Sequence, residues 1–251
     1  MRRSLILPVV MTTAIFGLLV GLGFWQVERW GAKQRLKQRV AERIHAAPAP
    51  APTAAEWSAL HPKKDEYKRV TITGRFLHDR ESYLYTLRST EAGGQAVQGW
   101  SVFTPMKTRD GAVVLVDRGF VPDPRRPPET RPASLVEGET SVTGLLRMPE
   151  PRGMFAAPDQ PGKREFFTRD PEAMAVAVGL PEAAPFTIAA DATPVPGGWP
   201  KGGNTRVSFP DNHLQYAATW FTLALCVLVL FAIWLRRANK APKGGVAADE
   251  A

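Results

Sequence analysis

In the stretch DNHLQYAATWF (211 to 221), His213, Tyr216, Ala217 and Trp220 recur at helical spacing and share one face. A titratable ring at the start of an apolar run is costly unless something holds it. One chemistry open to such a face is metal ligation. His213 could offer a neutral imidazole to the iron of a flat macrocycle, with Ala217 leaving room beneath it and Trp220 forming an apolar wall. GFWQVER (23 to 29) places Trp25, Gln26 and Arg29 at similar depth if the two ends of the chain pair, with Trp25 as a second wall and Arg29 as a partner for a propionate. Asp211 or Asn212 can cap the helix, and the helix dipole there disfavours a protonated ring. No CxxCH occurs, so a haem would be held non-covalently. The same residues also suit an interfacial aromatic belt, with the imidazole bonded to headgroups or water. Residue chemistry leaves both readings open.

Other chemistries lack their residues. His45, His61 and His78 are isolated, without HExxH or CxxC, which argues against a zinc enzyme. Phosphate-binding Gly-rich loops and GxSxG are absent, and the six Met are dispersed rather than clustered as copper delivery would require. The chain is expected not to be an enzyme.

What must position the His213 face is a pair of membrane spans. Residues 4–27 and 214–235 carry no charged side chain, and at about 1.5 Å per residue each reaches roughly 30 Å or more. The basic run ERWGAKQRLKQR follows the first span where a cleavage site would otherwise stand, so the segment reads as an uncleaved anchor. Gly17 and Gly21 form a GxxxG face for close helix approach, with Ala217, Ala218 and Ala224 opposite. Two spans put both tails on one side. Arg2, Arg3, Arg236, Arg237, Lys240 and Lys243 favour cytoplasmic tails, whereas six cations between Arg29 and Arg43 oppose that orientation. Long folded loops translocate largely regardless of charge, so the tails are read as cytoplasmic and the intervening domain as lying across the membrane. The one cysteine, Cys226, lies within a span and leaves the domain without a disulfide.

The division expected is a tail (1–3), a first span (4–27), a basic helix with a Pro/Ala linker (28–53), a β-rich domain (54–212), a second span (213–235) and a tail (236–251). Thr53 and Glu56 form a capping box for a short helix that Pro62 should end. YKRVTITGRF, ESYLYTL, VQGWSVFTPM, GAVVLVDRGF and ETSVTGLLRM alternate like strands, DPEAMAVAVGL carries helix start and stop signals, and PFTIAA and TRVSF read as late strands. The fold class is therefore a membrane protein whose two terminal transmembrane helices flank a β-rich α+β domain, an antiparallel sheet or barrel. Loops 122–132 and 193–204 are too rich in Pro and Gly for regular structure and read as mobile or partner-facing. The basic loop at 122–132 is expected to lie near anionic lipid. Without interleaved aromatics in the basic loop, nucleic acid is not an expected partner.

GFWQVERWGAK, VVLVDRGFVP, GLLRMPE and NHLQYAATWF, in that order between two terminal spans, resemble the surfeit locus protein one family of cytochrome c oxidase assembly factors. The resemblance covers roughly residues 5 to 237. It implies a bacterial inner-membrane protein with its domain in the periplasm, acting as a chaperone in respiratory complex IV biogenesis. It also implies a role in maturing oxidase subunit I by binding or presenting haem a, with haem a synthase as a further partner. The family's favoured haem ligand falls on His213, and the stretch Trp25 to Arg29 is the other matching part. Asp211 stands where the family often has Asn. Asp117, Arg118 and Gly119 match too, but as a turning strand end they receive no chemistry. The competing expectations are a scaffold that holds an assembly intermediate without haem and, from another class, a membrane-anchored enzyme or sensor using the β-rich domain.

Overall fold

The computed structural model describes residues 3–89, 96–205 and 211–240, which divide into two compact units. The expected late strand TRVSF lies, but for Thr205, outside the described residues.

The first unit consists of the amino-terminal part of helix α1 (Arg3–His45) and the carboxy-terminal helix α4 (His213–Lys240), both long and apolar enough to cross a membrane. Leu7, Leu18, Phe24, Leu225 and Leu230 are exposed, as expected where lipid is the solvent. α1 does not stop at the end of the charge-free run. It continues through the basic segment, whose Lys, Arg, Gln and Glu are good helix formers.

The two helices meet along a seam that the GxxxG motif does not make. A Cβ on Gly17 or Gly21 would touch nothing within 4 Å, whereas one on Gly23 would lie 2.6 Å from Phe221 Cε1. Gly23 thus lets the Phe221 ring approach the α1 backbone, and Phe24 meets the same ring edge-on at 5.5 Å. On α4, Ala217 and Ala224 are buried while Ala218 is exposed. One helix face packs, as a 3.6-residue period requires.

The second unit is built on a mixed eight-stranded sheet. Its strands are β1 (Ala49–Pro50), β2 (Arg69–Phe76), β3 (Ser82–Ser89), β4 (Ala96–Thr108), β5 (Val113–Pro122), β6 (Glu139–Arg147), β7 (Glu165–Phe166) and β8 (Thr187–Ala190). β2 pairs with β6, β6 with β8, β8 with β5, β5 with β4, and β4 returns to β2, so these strands close into a barrel. The pairings are antiparallel except β5–β8 within the ring and the short β1–β2 and β3–β7 additions. Alternation along β5 sorts its side chains. Val114 and Val116 join Ile72, Met106, Phe186 and Ile188 in one core, while Leu115 joins Phe103, Phe166 and Met174 in another. Helix α3 (Pro171–Val176), capped by the Asp170 carboxylate on Ala173 N–H at 3.1 Å, contributes Met174 to that second core.

Two local expectations need correction. The Glu56 carboxylate does accept from Thr53 N–H at 2.8 Å, but the 3-10 helix it caps ends at Ala59. Pro62 instead opens a separate short helix, α2 (Pro62–Asp65), where its missing N–H is not needed and its φ is already helical. The loop 122–132 is not loose. It folds into 3-10 turns at Asp123–Arg125 and Pro128–Thr130, and Arg131 at its end is only 4 % exposed.

Candidate functional site

At the start of α4, His213 Nδ1 lies 2.7 Å from Gln26 Oε1. An amide oxygen can only accept, so the Nδ1 proton is held on that side and the Nε2 lone pair is left for a ligand. Among the described residues Nε2 has no hydrogen-bond partner. Asp211 positions the same turn. Its carboxylate accepts from His213 N–H at 3.4 Å, from Gln34 Nε2 at 3.2 Å and from Lys37 Nζ at 3.2 Å. Burial pushes the Asp211 carboxyl up, but the Lys37 and His213 N–H bonds and the Lys37 and Lys33 charges leave it below its usual range. Gly23, Gln26, Gln34 and Lys37 recur at helical spacing, so the α1 face that packs on α4 is also the face that grips Asp211 and His213.

The remaining expected site residues divide around this pair. Trp220 is half-buried on the His213 face, and its Nε1–H is buried without an acceptor among the described residues. Trp25, Arg29 and Tyr216 are exposed on the flanks of the helices. The space expected beneath Ala217 is absent, because Ala217 is buried in the seam. The donor set offers a macrocycle a ring nitrogen of fixed tautomer, with one orphaned, buried donor on the same helix face. It does not fit a macrocycle slotted along the seam.

A second polar centre lies inside the barrel unit, where the sequence reading placed none. Glu81, 1 % exposed, is paired by Arg131 through a bidentate contact and by Arg118 at 3.6 Å, and accepts from Thr104 Oγ1 and Tyr83 Oη at 3.2 Å. Arg118 also donates to the Ser134 carbonyl, lies 3.5 Å from His78 Nδ1, and stacks over Phe76 at 4.9 Å. Burial pushes Arg118 down to about 10, with Arg131 adding repulsion against the pull of Glu81. Burial also lowers His78, helped by Arg118 and Arg131, so that imidazole is neutral at pH 7. Tyr83 is pushed up to about 12, first by burial and then by the Glu81 charge. Glu81 has its partners inside the fold, whereas Arg118 keeps N–H groups beyond those on His78 and Ser134.

Asp117-Arg118-Gly119, expected as a turning strand end, instead lies inside β5 (Val113–Pro122), where the pairing with β4 shifts register. Gly119 has φ +114°, and a Cβ there would lie 2.0 Å from the Lys201 carbonyl oxygen. Only glycine fits. Asp117 accepts Gly119 N–H at 2.9 Å and is pushed up to about 6 by burial, against the Gly119 bond and the Arg169 and Arg147 charges.

Comparison with known proteins places the chain among relatives by sequence. A model of the SURF1 family matches residues 13–225. Surfeit locus protein 1 of Xenopus tropicalis is 36% identical over 228 residues, covering 86% of this chain and 71% of that protein. The human Surfeit locus protein 1 is 36% identical over 223 residues, covering 84% and 72%. A SURF1-like protein of Monosiga brevicollis is 35% identical over 234 residues, covering 90% and 84%.

Proposed function

The chain belongs to the SURF1 family, and from that membership we propose that it assists assembly of a haem-copper cytochrome c oxidase, holding haem a on His213 while subunit I matures. The observation that carries this reading is the 2.7 Å bond from His213 Nδ1 to Gln26, which leaves Nε2 as a ligand. The cargo would supply an iron centre that takes an axial imidazole. The protein's own part is to fix the imidazole, wall it with Trp25, Tyr216 and Trp220, and offer Arg29 to a propionate. An exposed flank suits a carrier, since cargo must enter and leave sideways between proteins in lipid. No bond is made or broken by the chain, and haem a synthase is the natural donor. In this reading the chain sits in a bacterial inner membrane with both tails in the cytoplasm and the barrel in the periplasm. Reporter fusions at either tail test that orientation: a periplasmic reporter active there would reverse it.

The test of cargo binding is the optical spectrum of the full chain, purified in detergent from cells that make haem a, beside His213→Ala. Bound haem with an axial-imidazole spectrum that the variant loses supports the reading. A wild type without haem under those conditions overturns it.

A scaffold role without haem has one observation in its favour. Met154 and Phe155 are 91% and 95% exposed on a loop whose ends Arg152 and Asp159 tie at 2.6 Å. Two large apolar side chains on a braced loop are a contact feature. If Met154→Ser with Phe155→Ser abolishes co-purification of oxidase subunits while His213→Ala does not, the scaffold reading replaces the first.

A further inference from the structure

The barrel unit has a cavity of about 320 Å³ where β8 stops at Ala190 while β5 and β6 continue past it. Its walls include Phe76, Val116, Val142, Ala190 and Val195, and Arg118 lines it as well. Arg69, Asp191, Thr140, Ser141 and Thr143 line it too, and barrel mouths that combine apolar walls with a few polar groups are common ligand sites.

The charge balance at Arg118 points to what belongs there. Glu81 is the carboxylate in contact with both Arg118 and Arg131, and Arg131 takes it bidentately while Arg118 stands 3.6 Å away. His78, at 3.5 Å, is neutral and supplies no counter-charge. Nearby, Arg126 is matched by Glu165 at 2.6 Å, so that pair lends no spare anion. The cluster of Glu81, Arg118 and Arg131 thus carries one buried positive charge in excess. Arg118 has five N–H groups, of which those on His78 and Ser134 are engaged. An uncompensated buried cation at the edge of a cavity is costly unless an anion completes it.

We propose that this cavity binds a small amphipathic carboxylate, its head on the Arg118 guanidinium and its hydrocarbon tail against Phe76, Val116, Val142 and Val195. Arg69 stands at the same cavity but is already matched by Asp191 at 3.7 Å, which leaves Arg118 as the anchor. This site is independent of haem and of the assembly role. Either can fail without the other.

The probe is radiolabelled hexanoate in equilibrium dialysis against the full chain in a non-ionic detergent, with a detergent-only chamber as blank. One saturable site is expected, weakened at least tenfold by Arg118→Gln and lost in Val195→Trp, which fills the cavity from its half-buried loop wall. Unlabelled hexanoate should displace the probe, whereas 1-hexanol should not. Absence of saturable binding, equal binding by Val195→Trp, or displacement by the alcohol as effective as by the acid would each overturn the proposal. Should Arg118→Gln fail to fold, the loop variant and the alcohol competition decide it alone.

Discussion

His213 and Glu81 are both polar groups in apolar surroundings, and the chain treats them in opposite ways. Around Glu81 two guanidiniums and two hydroxyls converge on one carboxylate that is 1 % exposed. Around His213 one amide fixes one ring nitrogen, and the other nitrogen stays unbonded among the described residues. A group whose partners are all supplied by the fold stabilises the fold. A group held in place with one atom left over is prepared for something else. The difference teaches where to look for function: at a positioned atom left without a partner, as His213 Nε2 and the spare N–H groups of Arg118 are, not at a carboxylate as fully partnered as Glu81.

The sharpest way to break this comparison is Glu81→Gln. It leaves Arg118 and Arg131 buried without their carboxylate, which should destabilise the barrel unit by about 3–5 kcal/mol. Chemical denaturation followed by Trp fluorescence measures it. A loss below about 1 kcal/mol would mean the cluster is not structural, and would remove the contrast with His213. Next in size is Gln26→Leu. It frees the imidazole tautomer without touching the barrel core, so haem a affinity should fall about 10–100-fold while the unfolding transition of the barrel stays where it was. Unchanged affinity would show that Gln26 merely ties the helices together.

How far these two centres could be read from the sequence follows from how local their signals are. The spans are legible as charge-free runs, because a bilayer demands it of each residue separately. β5 is legible because Val114, Leu115 and Val116 sort by parity. His213 was legible as a candidate, since a His beside an apolar helix is odd on its own. Its Gln26 partner, 187 residues away, became visible only through the helix packing. The GxxxG motif misled for a physical reason: close approach is set by which face packs, and that face carries Gly23 rather than Gly17 and Gly21. The Glu81 cluster was not legible. Its members come from β4, β5, the start of β3 and a Pro-rich loop, and each looks in sequence like an ordinary surface charge or a turn. Nothing in PDPRRPPETRP announces that Arg131 is a core residue.

Asp117 sharpens the comparison from the barrel side with a smaller effect. Its carboxyl is pushed up to about 6 in the folded state, above the ordinary Asp value near 3.8. The folded form therefore holds its proton more tightly than the unfolded chain, and this group stabilises the fold increasingly as pH falls from about 7 toward the unfolded value near 3.8. Asp117→Asn, which keeps an acceptor for Gly119 N–H, should be more stable than wild type at pH 8 by on the order of 1 kcal/mol. The gain should shrink as pH falls toward 5. Paired thermal melts at the two pH values check the sign, and a gain that grows with acid would contradict it.

Smallest of all should be Arg29→Ala, which probes the open side of the His213 site. Arg29 is exposed on the flank of α1. A pair between an exposed guanidinium and a propionate is screened by water and adds little, so haem a affinity should drop by about threefold, within the ordinary range for such pairs. That is far less than the loss expected from His213→Ala if, as proposed, His213 is the residue that holds the iron. Titration of the two variants side by side, read at the Soret band, gives the order. If Arg29→Ala costs more than His213→Ala, the ligand is held by its carboxylates rather than by its metal, and the site would then resemble the Glu81 region in depending on charge pairing.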